Sequence, residues 1–244
     1  METHRNMFDT EAVRRLALVV LTVAVALAAT AVALAGPNDP RLHKRPADVR
    51  KAKSLLLKRA DLPAGFVDKG PQKNSGPTPD LPCKEPNLHA LVVTADVSSH
   101  NFVRQRTGAF AETSSGASFF VRPAQAVKAV AAVTNRKLGN CLKEAVIKSA
   151  SESSHGALKV VSAHVTPLSE SVGDLRAKFW DILVTLKAYG LLFHDELVLA
   201  YFRRGRVVSA LMVNSLNGLT EQESKNISET LTIRLKSLPK SVVG

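Results

Sequence analysis

Aromatic side chains are scarce, with one Trp, two Tyr and nine Phe making up 5% of 244 residues. A core drawn from this composition has to rest on Leu, Val, Ala and Ile. Stacking platforms for nucleic-acid bases are correspondingly few. Cysteine is scarcer still: Cys83 and Cys141 are the only two, and neither belongs to a C-x-x-C pair of the kind that builds zinc ribbons. His-x-His and His-x-x-x-His spacings are missing, as are a glycine-rich phosphate loop and a Gly-x-Ser-x-Gly elbow. Ser237-Leu238-Pro239-Lys240 matches Ser-x-x-Lys by letters alone, without the partner motifs that give it chemistry. The sequence thus offers no catalytic set, no cofactor site and no metal site.

Negative charge is also in short supply, with 21 Asp and Glu against 33 Lys and Arg and a formal net charge of +12. Within residues 1–35, Arg5, Arg14 and Arg15 are matched by Glu2, Asp9 and Glu11, so the whole excess lies in residues 36–244. A basic field of this kind favours anionic lipid headgroups or anionic wall polymers as neighbours. Nucleic acid is set aside, because Trp180, Tyr189 and Tyr201 lie apart from the basic run between Arg41 and Arg59.

What the chain does have is one long apolar run. Leu16–Ala35 reads LALVVLTVAVALAATAVALA, with Thr22 and Thr30 its only polar side chains. That is about the 20 residues a helix needs to cross a hydrocarbon core of roughly 30 Å. Its length exceeds the usual signal-peptide core, which favours an uncleaved anchor, while Ala33-Leu34-Ala35 before Gly36 leaves cleavage near Ala35 as the alternative. The basic flank from Arg41 to Arg59 runs against the positive-inside bias if that flank is outside, but long translocated domains are governed less by loop charge. The expected organisation is a short cytoplasmic segment (1–15), a transmembrane or signal-anchor helix (16–36), a basic linker (37–46) and an extracytoplasmic α+β domain (47–240). The linker could then lie against anionic headgroups.

In an oxidising compartment, pairing of Cys83 with Cys141 is the economical reading, and two buried thiols are the alternative. A bridge closing a loop of that size adds roughly 4 kcal/mol in the chain-entropy model.

Periodicity supplies the coarse elements. Val49, Ala52, Leu55, Leu56 and Arg59 share a helical face ending at Leu62-Pro63-Ala64-Gly65. Residues 68–86 carry so many Gly and Pro that a long loop is expected. Phe110–Val121 reads as a strand. Pro123 then opens one helix with a stripe from Ala126 to Cys141 that should face the sheet. Lys159–Val165, Ala177–Leu186, Leu197–Phe202 and Arg206–Asn214 are strand-like, and Arg204-Gly205 marks a hairpin. Thr220-Glu221-Gln222-Glu223 caps a final helix with Ile227, Leu231 and Leu235 on one face. The order implies an antiparallel sheet packed by helices on one face.

These residues resemble the PknH-like extracellular sensor domain over roughly residues 47–238. The carriers are Asp61-Leu62-Pro63-Ala64-Gly65-Phe66, Cys83 after a Pro-rich loop, Phe119-Phe120-Val121 followed by Ala124 and Ala126, Cys141 late in the helix, Gly173-Asp174, and Arg203-Arg204-Gly205-Arg206-Val207-Val208. The resemblance implies a helix-backed antiparallel sheet with a cleft for an envelope ligand. Kinase-linked members tend to have two disulfides where this chain can form one, and the Trp expected before the helix cysteine is replaced by Gly139-Asn140. A PsbP or Mog1-like domain would show the same order of elements.

The expected function is a non-enzymatic envelope protein binding a small ligand or a protein partner between sheet and helix. The alternative is a hydrolase-like envelope enzyme with a dispersed active site. Arg203, Arg204 and Arg206 are candidate anion contacts at a hairpin tip. His194-Asp195-Glu196 is the tightest titratable cluster, but a strand puts His194 and Glu196 on one face and Asp195 on the other, which suits a polar edge better than a site.

Overall fold

The computed structural model describes residues 39–71, 86–153, 159–188 and 191–244. The apolar run Leu16–Ala35 and Cys83 lie outside them. Among the described residues, no helix is long and apolar enough to cross a membrane.

After a two-residue strand β1 (Arg41–Leu42), helix α1 (Pro46–Leu55) starts with Pro46 in its first turn and Asp48 beside it. It ends before the expected stripe does: Leu56 is extended, and Arg59–Asp61 form a separate 3₁₀ turn in which Asp61 accepts from the Lys58 amide. Strand β2 (Val67–Pro71) then occupies the start of the segment read as loop. Its breakers are tolerated because it is a peripheral strand that pairs only with β4, through an irregular register. Strands β3 (Val92–Ser98) and β4 (His100–Arg106) fill a stretch to which periodicity assigned no element. Strand β5 (Ala109–Phe120) follows as expected.

The single helix expected after Pro123 is two, α2 (Pro123–Val133) and α3 (Arg136–Ser153). Local hydrogen bonds make the break. The Thr134 hydroxyl donates back to the Val130 carbonyl at 2.6 Å, and Asn135 Oδ1 accepts from the Leu138 amide at 2.9 Å, capping the second helix. Four long strands follow: β6 (Lys159–Val172), β7 (Leu175–Ala188), β8 (Leu191–Arg204) and β9 (Val207–Leu216). Gly205, at φ +56, makes the turn between the last two. Helix α4 (Glu221–Ser237) has the capping box the sequence indicated, with the Glu223 amide on Thr220 Oγ1 and the Thr220 amide on Glu223 Oε2. A short helix, α5 (Lys240–Val243), closes the chain.

The strands form one sheet in the order β1-β3-β5-β9-β8-β7-β6, with β4 and β2 branching from β5. All pairings are antiparallel except β1 with β3. The α+β class and the helix-packed antiparallel sheet are as expected, but the helices are shared between both faces. Side-chain alternation requires this: on β8, Leu197, Leu199 and Tyr201 join one core while Val198, Ala200 and Phe202 join the other. The first core lies beneath α2 and α3 and contains Trp180. The second lies beneath α1, α4 and α5 and contains Leu55, Ile227, Leu231 and Val243.

Candidate functional site

Strand β5 is central and covered on both faces, so its composition decides where the core is full and where it is hollow. On the α2/α3 face its side chains run Phe110, Glu112, Ser114, Gly116, Ser118, Phe120, with four small or polar residues between two aromatics. The sheet register extends this thin stretch sideways. Ser98 on β3 pairs with Gly116, Gly116 with Ala210 on β9, and Ala210 with Tyr201 on β8. One row along, Asp96 pairs with Ser118 and Ser118 with Val208. Gly116 and Ala210 are too small to meet the helix above them. A cavity of about 580 Å³, including its opening to solvent, remains between this floor and Ala129, Val130 and Val133 of α2.

The cavity is mainly apolar, with a few polar groups. The Ser118 hydroxyl donates to Asp96 Oδ1 at 2.6 Å. Burial raises the Asp96 carboxyl to about 6 despite that bond, and Asp39 adds to the rise. Burial likewise pushes the Tyr201 phenol to about 12. Its hydroxyl bonds no other described residue. Apolar walls with a few convergent polar groups are the ordinary character of a small-molecule site.

Farther along the same face lies a second polar group. Glu112 pairs across β5–β9 with Asn214, and Asn214 across β9–β8 with Leu197, two residues from Asp195. Glu112 is fully buried and Asn214 is 1% exposed. Burial raises the Asp195 carboxyl to about 7, aided by the charges of Glu112 and Glu196, and it raises that of Glu112 against a hydrogen bond from Asn101.

The sequence candidates fall elsewhere. Arg204 is buried: its Nε donates to Asp174 at 2.7 Å, and Nη1 to the carbonyls of Leu235, Lys236 and Leu238, where it caps the C-terminal end of α4. Arg206 is engaged by Asp48, Phe120 and Val242 and lies over the Phe119 ring. Of the three arginines, Arg203 is the one without an acidic partner; burial and neighbouring Arg176 depress its pKa. His194 and Glu196 are exposed and Asp195 is buried, the division that strand alternation required, and His194 Nδ1 lies 3.2 Å from Thr185 Oγ1. Cys141 is buried on α3. No cluster of three or more His, Cys, Asp or Glu able to hold a metal occurs among the described residues. Asp96, Ser118 and Tyr201 escaped the sequence reading; the legible trace was the run Ser114–Ser118 inside a strand bounded by Phe.

No protein-family model and no curated protein matches the chain. Two solved structures are distantly similar. The extracellular domain of PknH from Mycobacterium tuberculosis is 11% identical at a TM-score of 0.32, over 79% of this chain and 99% of that one. LpqN of Mycobacterium tuberculosis, described as involved in cell envelope biogenesis, is 9% identical at a TM-score of 0.28, over 72% of this chain and 78% of that one.

Proposed function

We propose that the chain is a non-enzymatic envelope protein whose α+β domain holds a small, mainly apolar ligand in the cavity between α2 and the sheet. The observation that carries this reading is the row Ser98, Gly116, Ala210, Tyr201. Small residues at its centre make the space, and Tyr201 at its end brings a phenol that bonds no other described residue. Asp96 and Ser118 would take the hydrogen-bonding end of the ligand, and Val130, Val133 and Val208 its apolar body. The hydrolase alternative gains nothing from this cavity: its hydroxyl–carboxylate pair, Ser118 and Asp96, has no histidine beside it among the described lining residues. Anchoring by Leu16–Ala35, placement of the domain outside the cytoplasm, and a bond between Cys83 and Cys141 belong to the same proposal.

The test is titration with the neutral fluorophore N-phenyl-1-naphthylamine. Saturable binding at one site per chain is expected, with a loss of tenfold or more in Val130→Trp, which fills the space from α2, and a smaller loss in Tyr201→Phe. Absence of saturable binding, or equal affinity in a folded Val130→Trp variant, would refute the reading.

A further inference from the structure

Lys and Arg outnumber Asp and Glu by 33 to 21 in this chain, yet no Lys, Arg or His stands among the described residues lining the cavity under α2. Its one charged lining residue is an acid, Asp96. The register fixes where that acid stands. Asp96 is on β3, one row from Ser98, and Tyr201 is on β8, three strands farther and so about 14 Å along the sheet at roughly 4.8 Å per strand. Ser98 is exposed and Asp96 half-buried, whereas Tyr201 is 8% exposed. The cavity therefore opens at its β3 end, beside the carboxylate, and closes against the phenol.

The charge at that mouth is unbalanced. Asp96 Oδ1 accepts from Ser118 Oγ at 2.6 Å, and the neighbouring charge that acts on the carboxylate is that of a second acid, Asp39. A carboxyl that titrates at about 6 is still ionised at pH 7.5. Arg203 lies in the Asp96 row but three strands away; it does not line the cavity, and its guanidinium is turned to the Gly205 carbonyl at 3.3 Å. An apolar ligand entering here takes more water from the carboxylate. A head group that brings a positive charge offsets that cost, and one that brings a negative charge adds to it. A metal ion would find one carboxylate and two hydroxyls, too few oxygens for a hard cation. An ammonium needs only acceptors within reach of its three N–H groups, and Asp96, Ser118 and Ser98 supply them.

Resting on the ligand-cavity reading above, we propose that the cavity selects small amphiphiles with a protonated amine head. The ammonium pairs with Asp96 at the mouth, and the apolar chain lies over Gly116 and Ala210 towards Tyr201. Asp96 sets this preference against the sign of the whole molecule, whose net charge of +12 draws anions.

The full-length protein is loaded with N-phenyl-1-naphthylamine at pH 7.5, and octylamine, octan-1-ol and octanoate are compared as displacers. Only the emission that Val130→Trp abolishes is counted, which removes dye held by Leu16–Ala35 or by the surface. Octylamine is expected to displace it at about one-tenth of the octanol concentration or less, with octanoate the weakest of the three. Binding governed by net charge gives the reverse order, octanoate first. Asp96→Asn should cancel the amine's advantage, and Asp96→Lys should turn it into a preference for octanoate. The proposal is overturned if octanol or octanoate matches octylamine on the wild type, or if a folded Asp96→Asn variant keeps the amine's advantage. If a variant fails to fold, the wild-type order still decides. Failure of the underlying cavity reading looks different: Val130→Trp then removes no emission, and both fall together.

Discussion

Replacing Asp48 by Ala should unfasten α1 from the β8–β9 turn and from α5. Asp48 Oδ2 accepts from Arg206 Nη1 at 3.0 Å and Oδ1 from Nη2 at 2.9 Å, and Thr94 donates to the same carboxylate at 2.6 Å. The two side chains are 7% and 13% exposed. Arg206 also donates to the carbonyls of Phe120 and Val242, so one guanidinium joins α1, β5, the β8–β9 turn and α5. Removing one partner of a buried ion pair costs about 3–5 kcal/mol, because the other is left charged and unpaired. Arg206 keeps two carbonyl acceptors and some solvent, which lowers the expectation to about 2–4 kcal/mol, a large share of the roughly 5–15 kcal/mol that stabilises a domain. Urea unfolding followed by far-UV circular dichroism reads the loss as a fall in midpoint at unchanged slope. Asp68→Ala, in the exposed pair with His100, is the control and should leave the midpoint in place. A pH series adds a second reading. Burial pushes the Asp48 carboxyl up, but the hydrogen bonds from Arg206 and Thr94 and the Arg206 charge outweigh it, and its pKa lies below the usual 3.8. A depressed carboxylate stabilises above its unfolded value and loses that contribution as pH falls through the folded one. Asp48→Ala should therefore lose that part of the acid limb. A midpoint shift no larger than that of Asp68→Ala would refute the reasoning.

Asp96 gives the opposite pH dependence. With its folded carboxyl near 6 against the usual 3.8, the native state keeps a proton that the unfolded chain has lost, so stability falls as pH rises from about 4 to about 6 and stays lower above. Asp96→Asn should leave stability unchanged at pH 3 and raise it by about 1–2 kcal/mol at pH 8 once partial solvation is allowed for, read from denaturant midpoints at both values; a gain at pH 3 alone would contradict this. Gly139→Ala should destabilise by about 1–3 kcal/mol, because the added methyl would stand 2.6 Å from the Trp180 ring, and a neutral result in thermal melting would show that the ring yields.

Where one local rule dominates, the sequence was a sufficient guide. Thr220 and Glu223 announce α4, Gly205 its hairpin, and the unbroken apolar run Leu197–Phe202 its strand. Tertiary context decided the rest. The helix after Pro123 divides because Thr134 and Asn135 hydrogen-bond to nearby backbone groups, while the apolar stripe runs on unbroken through the break. Helices cover both faces because the central strands are buried on both, and residues such as Ser115 and Thr113 belong to that interior despite their polarity. The cavity was illegible because it depends on register, which sets Gly116 beside Ala210 across a span of 94 positions. Arginines that look like a solvated tip, Arg204 and Arg206, are interior fasteners because α4 and α5 return to cover the turn, so closely that a Cβ on Gly205 would meet the Val243 carbonyl.

Trp180 is the only indole in the chain, 2% exposed, with its ring against Gly139 and its N–H on the Val133 carbonyl at 3.0 Å. Its emission is therefore a private channel for one seam, the joint of α2 and α3 on β7, and is blind to the layer of α1, α4 and α5 behind the sheet. Fluorescence and circular dichroism recorded on one sample would separate the two layers without any label. Coincident curves mean that both faces let go together, and a displaced fluorescence curve means that the wall over the cavity lifts first.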